Sequence, residues 1–153
     1  ATTTSTTVVD LLSATVTAIV AATPFKFTCL ARKSAGGAFR VGVGLKLNTT
    51  VVHEPTKFGA AQVWTPDGTD EIQYGMASFE IGARVTGYAR PGLGHFIALN
   101  ATGGSISNTL GNITTTADYP TADITAVVLR GVSENAGVTL GVDELNVYTF
   151  STS

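Results

Sequence analysis

A single cysteine, Cys29, stands among 153 residues, so one chain can form neither an intrachain disulfide nor a thiolate metal cluster. Charge is scarce as well. Charged residues are 13% of the chain, against roughly a quarter in ordinary soluble domains. The nine basic residues are scattered from Lys26 to Arg130, and the formal net charge is -2. That distribution offers a polyanion no basic stripe to track, so nucleic acid is not an expected partner. Apolar runs such as Ala18 to Ala22 fall far short of the roughly 20 residues a spanning helix needs. No basic stretch precedes an apolar one at the start of the chain, and a soluble protein with no membrane partner is expected.

Catalytic signatures are missing too. His53 and His95 are the only histidines available as a base, no Gly-x-Ser-x-Gly elbow occurs, and Gly92-Leu93-Gly94 lacks the Lys-Ser/Thr ending of a phosphate loop. Most carboxylates fall in turn-like segments, where they solvate cheaply. Glu80 lies in an alternating stretch but points away from Phe79 and Ile81. Cys29, in the alternating run Phe25-Lys26-Phe27-Thr28-Cys29-Leu30-Ala31, reads as a small buried hydrophobe. The expectation is a protein that is not an enzyme and has no cofactor. Asp67-Gly68-Thr69-Asp70-Glu71 gathers three carboxylates beside Trp64, the oxygen chemistry calcium prefers. Its spacing is not that of an EF-hand, however, and an ordinary solvated turn is the stronger reading. No metal site is expected.

What the chain does have is period-two alternation. Phe25 to Lys33 alternates, Ser34-Ala35-Gly36-Gly37 supplies a turn, and Phe39, Val41, Val43, Leu45 and Leu47 alternate with Arg40, Gly42, Gly44 and Lys46. This predicts a long antiparallel hairpin with one buried face. Strand character returns at Ala77 to Thr86, at His95 to Leu99, more weakly at Ser105 to Ile113, and then at Ile124 to Arg130, Val138 to Val142 and Leu145 to Phe150. Ser133 to Gly137 reads as a hairpin turn between strands. Val8 to Leu12 could make one helical turn, and Thr15 to Val20 a strand. The middle, Val51 to Tyr74, is loop-rich with one short strand near Ala61 to Trp64. Eight to ten short strands without a trustworthy amphipathic helix predict an all-β fold. A two-sheet antiparallel sandwich of jelly-roll type is the natural solution. The core is assigned to Phe25, Phe27, Cys29, Phe39, Val41, Val43, Leu45, Phe79, Ile81, Ile97, Val128, Leu140, Leu145 and Val147. Residues 1–7, a Thr-rich run with no apolar face, are expected to form a flexible arm that orders on a neighbour, with 8–153 as the single sandwich domain.

The ending Gly141 to Phe150, preceded by Ala122 to Gly131, resembles the final strands of jelly-roll modules of the carbohydrate-binding type, and Thr23 to Gly44 looks like their first core strands. In such modules the position of Asp143 often holds structural calcium, with Asp10 as the one upstream acidic candidate before Glu54. The chain is also similar to the small decoration or cement proteins of tailed-phage capsids in size, in its Thr-rich arm and in its lack of catalytic residues. These resemblances imply a structural virion protein on the virion surface or otherwise extracellular, binding capsid coat protein and copies of itself as a homo-oligomer. The alternatives are a noncatalytic carbohydrate-binding module, with glycans as partners, and an extracellular filament subunit joined by strand donation from Val8 to Val20. Trp64, Tyr74, Tyr88 and Tyr119 fall in or beside loops and are the candidate interface or glycan contacts. A sugar site would gather them on one platform with polar partners, whereas a protein interface would spread them around a rim. Asn48, Asn100 and Asn112 each open an Asn-x-Thr acceptor pattern, which matters only for a glycosylating secretory origin.

Overall fold

Every described element is a strand, as the alternation requires. The structure is a computed structural model. It describes residues 1–21, 23–34, 39–53, 72–86, 88, 91–100, 105–114 and 121–150, giving only the backbone at 52–53, 91–100 and 105–114. Ten strands follow in order: β1 (Thr2–Thr3), β2 (Val9–Ile19), β3 (Phe25–Lys33), β4 (Val41–Leu47), β5 (Thr50–His53), β6 (Gln73–Ile81), β7 (Pro91–Asn100), β8 (Ser105–Thr114), β9 (Ile124–Ser133) and β10 (Leu140–Thr149). They form a six-stranded sheet in the order β1-β10-β3-β6-β7-β8 and a four-stranded sheet in the order β2-β9-β4-β5.

All the ladders are antiparallel, and four of them nest: β1 with β10, β2 with β9, β3 with β6, and β4 with β5. This is one long hairpin, β1 to β4 going out and β5, β6, β9 and β10 returning, rolled so that the strands of each limb fall alternately in the two sheets, which is the jelly-roll topology. Strands β7 and β8 extend the free edge of β6 as an added hairpin.

The rolling corrects two expected hairpins. Strands β3 and β4 belong to opposite sheets, and so do β9 and β10. Alternation identifies the buried face of a strand but not the strand it pairs with, so an arch across the sandwich and a hairpin within one sheet look alike in sequence. The two arches are tied together: Ser34 N donates to Thr139 O at 3.0 Å, Thr139 N to Ser34 Oγ at 2.9 Å, and Glu134 N to Arg40 O at 2.9 Å.

Other boundaries move as well. Val9–Ile19 is one strand with no helical turn. The two predicted C-terminal strands are a single β10 whose register shifts between Val142 and Glu144, a bulge at Asp143. Strand β6 ends at Ile81, leaving Ala83 and Val85 exposed beyond it. The expected strand near Ala61 to Trp64 lies outside the described residues.

The interior is filled from both sheets by Phe25, Phe27, Cys29, Val41, Val43, Leu45, Phe79, Ile81 and Leu140, joined by Leu47, Ile124, Val127 and Leu129, all at most 5% exposed. Phe27 stacks on Phe79 with ring centroids 5.0 Å apart, and on Phe25 at 6.2 Å. Each such side chain contributes roughly 1.5–3 kcal/mol by leaving water. Phe39, assigned to the core, is instead 36% exposed, because β4 begins only at Val41. Leu145 and Val147 are partly buried against the core, Val128 is buried at 7% exposure, and the Ile97 side chain lies outside the described residues.

The expected free arm is part of its own sandwich. Thr2 pairs with Gly141 and Thr3 with Leu140. The Ala1 amine donates to Val142 O at 2.8 Å, Val142 N donates back to Ala1 O at 2.7 Å, and Ser133 N donates to Ser5 O at 2.8 Å. Composition denies this segment an apolar face, but backbone pairing needs none. Beyond it, Leu11 of β2 enters a notch left by Gly131, where a Cβ would stand 2.4 Å from Leu11 Cδ1. Deleting residues 1–7 removes several long-range backbone bonds, each contributing about 0.5–1.5 kcal/mol net. Denaturant melts of the truncated chain should show a loss of at least about 1 kcal/mol. An unchanged midpoint would mean that the arm does not hold this edge in solution.

Candidate functional site

Among the described side chains, the outer face of the six-stranded sheet carries the outward positions of β3, β6 and β10. Register aligns them in rows: Glu144 with Leu30 and Met76, Asn146 with Thr28 and Ser78, and Tyr148 with Lys26 and Glu80. A further row places Arg32 beside Tyr74. At the centre, Leu30 and Met76 stand directly opposite each other and are 42% and 45% exposed. Tyr74 and Tyr148, 57% and 51% exposed, occupy opposite corners. The Lys26 and Arg32 rows are six residues apart, so the two rings lie roughly 20 Å apart along the strands. Two ion pairs lie on this face, Lys26 with Glu80 at 2.9 Å and Arg32 with Asp143 at 3.3 Å, while the exposed Glu144 stands in the row of Leu30 and Met76. The described part of the face thus sets two exposed aliphatic side chains beside the Glu144 carboxylate, with hydroxyl and amide groups next to them and tyrosines and ion pairs beyond.

Of the residues singled out in sequence, Tyr74 lies on this face. Tyr88 is 70% exposed in a turn beyond the end of β6, where its N–H donates to Val85 O at 3.1 Å. Trp64 and Tyr119 lie outside the described residues, as do Asp67 to Glu71. The described tyrosines are therefore distributed to separate corners and an end, and do not gather on one platform. Sequence reading missed Leu30, Met76 and Tyr148. The signal was present, since Leu30 shares the outward phase of β3 with Lys26, Thr28 and Arg32 and is the one aliphatic residue among them.

The acidic candidates are committed to pairs. Asp143 meets Arg32 on one sheet, while Asp10 on the other bridges Lys46 and Arg130 across β2, β9 and β4. The two carboxylates therefore face outward on opposite sheets and cannot share a cation. Among the described residues no three His, Cys, Asp or Glu side chains are grouped to hold a metal ion. In a shallow groove beside Leu12, Ser13 and Val128 the Asp10, Lys46 and Asn48 side chains are already engaged.

Asn48, with φ of 52°, closes the two-residue turn between β4 and β5, a backbone conformation that Asn tolerates better than most residues. Its Oδ1 accepts from Thr125 N at 2.9 Å and Ala126 N at 3.2 Å. Its Nδ2, the atom a glycan would occupy, donates to Asp123 O at 3.0 Å. The side chains of Asn100 and Asn112 lie outside the described residues. Cys29 is buried, and desolvation pushes its thiol up to about 12, leaving no thiolate for chemistry at neutral pH.

No protein-family model matches the chain, and no curated protein matches it in sequence. Among solved structures, an alginate lyase from Alteromonas sp. 272 aligns over 88% of this chain and 75% of its own, at 7% identity and a TM-score of 0.26. A polysaccharide lyase of family 18 aligns over 87% of this chain and 76% of its own, at 9% identity and a TM-score of 0.23. The fold assignment rests on the strand order instead. It defines a jelly-roll β-sandwich, a scaffold that many unrelated functions share.

The Lys46 hydrogen bond, with Arg130 on the other oxygen, holds the Asp10 carboxyl below its ordinary value of 3.8, against an opposing effect of desolvation. Folding therefore favours the ionised form. The stabilisation is complete above the unfolded-state value and disappears as pH falls through the lower folded value. Because Asp10 is half exposed, Asp10→Asn should cost no more than about 1 kcal/mol at pH 7. Melts at falling pH should show this difference shrinking below about pH 4, and a difference independent of pH would contradict the ion-pair account.

Proposed function

We propose that this chain is a noncatalytic structural module, a capsid decoration or cement protein that binds coat subunits through the outer face of its six-stranded sheet. The observation that carries the reading is the patch centred on Leu30 and Met76 with Tyr74 and Tyr148 at its corners. Apolar side chains at outward strand positions gain little in the isolated sandwich and become useful when another surface covers them. The internal pairing of Lys26 with Glu80 and of Arg32 with Asp143 leaves Glu144, beside Leu30, as the carboxylate on this face for which a covering surface must supply a cation or a hydrogen-bond donor. Low overall charge supports close packing against neighbours. The virion assignment itself comes from the resemblance in size, Thr-rich segment and absent catalytic set.

Recovery of the protein in purified virions of its source tests the reading directly. Leu30→Glu combined with Met76→Glu should lower coat binding at least tenfold while shifting the module's own stability by only about 0.5 kcal/mol, as surface changes usually do. Absence from virions overturns the assignment. Glycan-array binding by the isolated chain, lost in Tyr74→Ala or Tyr148→Ala, favours the carbohydrate-binding alternative.

A further inference from the structure

The two sheets share a feature that the coat-binding reading does not use. Strand β1 lies at one edge of the six-stranded sheet and β2 at one edge of the four-stranded sheet. Both belong to the continuous segment of residues 1–19. Within the sheets β1 pairs with β10 and β2 with β9, so the segment can leave without breaking any other strand pair. Its inward side chains Leu11, Leu12 and Val16 are only partly buried against the core, with Ile19 the buried anchor nearest the hinge. Its ladder to β9 is irregular, with register shifts between Asp10 and Leu12 and between Thr15 and Ile19. The one charge on β2, Asp10, is turned to Lys46 and Arg130 on the sheet's outer face, so no free charge guards this edge against strand addition.

We infer that residues 1–19 exchange between copies of this chain, one copy's β1 and β2 completing both sheets of its neighbour. The contacts made in the exchanged and closed forms are identical except at the hinge, so the hinge sets the balance. The hinge falls in the link between the end of β2 at Ile19 and the start of β3 at Phe25. In the closed form Thr23 N donates to Val20 O at 2.9 Å, and Ala21 N donates to Asp123 Oδ1 at 3.1 Å. Reciprocal exchange closes a dimer, and head-to-tail exchange builds an open chain of subunits. The partner is a second copy of this protein, recognised by backbone pairing and by the notch at Gly131 that receives Leu11. The exchange deepens the assembly reading and rests on it only for its biological purpose.

Thr15 and Ala126 are register partners across β2 and β9. The Thr15→Cys/Ala126→Cys variant, refolded at high concentration from an equal mixture of isotope-labelled and unlabelled chains and then oxidised, should give covalent multimers on denaturing gels, with disulfide-linked peptides joining labelled to unlabelled chains. Cys29 is buried, and the parent chain serves as its control. Monomers with intrachain disulfides alone would overturn exchange. The parent chain supplies a second readout, because exchanged multimers formed at high concentration must survive dilution for as long as unfolding takes. Multimers that dissociate at once, or none at all, would also overturn it. Neither result bears on virion recovery, so the exchange and the coat-binding reading can fail separately.

Discussion

The buried apolar side chains described in each sheet gather on its inner face, and the two inner faces leave water against each other. Phe25, Phe27, Cys29 and Ala31 of β3 must meet Val43 and Leu45 of β4 and Leu129 of β9 across the sandwich. Strands β3 and β4 are neighbours in sequence and carry the strongest alternation, so they are thrown to opposite sheets, and the link between them becomes an arch. Once the first arch exists, nested pairing brings the last strands back onto the first. Strand β10 reaches β3 and β1, and β9 reaches β4 and β2. The stability of the β1 and β2 edges therefore depends on contacts between opposite ends of the chain.

How much of this was legible in sequence follows from what alternation encodes. The bounds of β3 and the inward phase of β3, β4 and β6 could be read from residues such as Phe27, Val43 and Phe79, because a period of two is imposed by the pleat itself. The choice between hairpin and arch could not be read, since partner identity is set by the whole rolled sheet. Strands β7 and β8 were under-read because Gly92, Gly94 and Gly111 suggest turns, yet each keeps its place in the ladder. The arm was misjudged because Thr2 and Thr3 contribute backbone, not apolar surface. Of the site, Tyr74 was found by its aromatic character, whereas Leu30 and Met76 were hidden among the apolar residues of strands that are otherwise buried.

The surface economises on charge in a consistent way. Asp10 joins β2 to β4 and β9 through Lys46 and Arg130, Asp143 at the β10 bulge meets Arg32, and Glu80 meets Lys26. These pairs contribute little stability individually. Their larger consequence is that, among the described residues, most of the charge on the outer faces is locally neutralised. Few charges remain free to guard the sheet edges, and that connects the low-charge composition to self-association through β1 and β2.

The central structural claim is that residues 1–19 complete both sheets from outside as a separable unit. Native-state hydrogen exchange of the unmodified chain in low denaturant tests it most directly. Strands β3 and β9, paired on both sides, should exchange only through global unfolding, whereas the protected amides of β2 should exchange through a smaller opening with a lower free energy and a weaker denaturant dependence. If the amides of β2, β3 and β9 share one free energy and one denaturant dependence, the N-terminal segment is not separable and the account is contradicted.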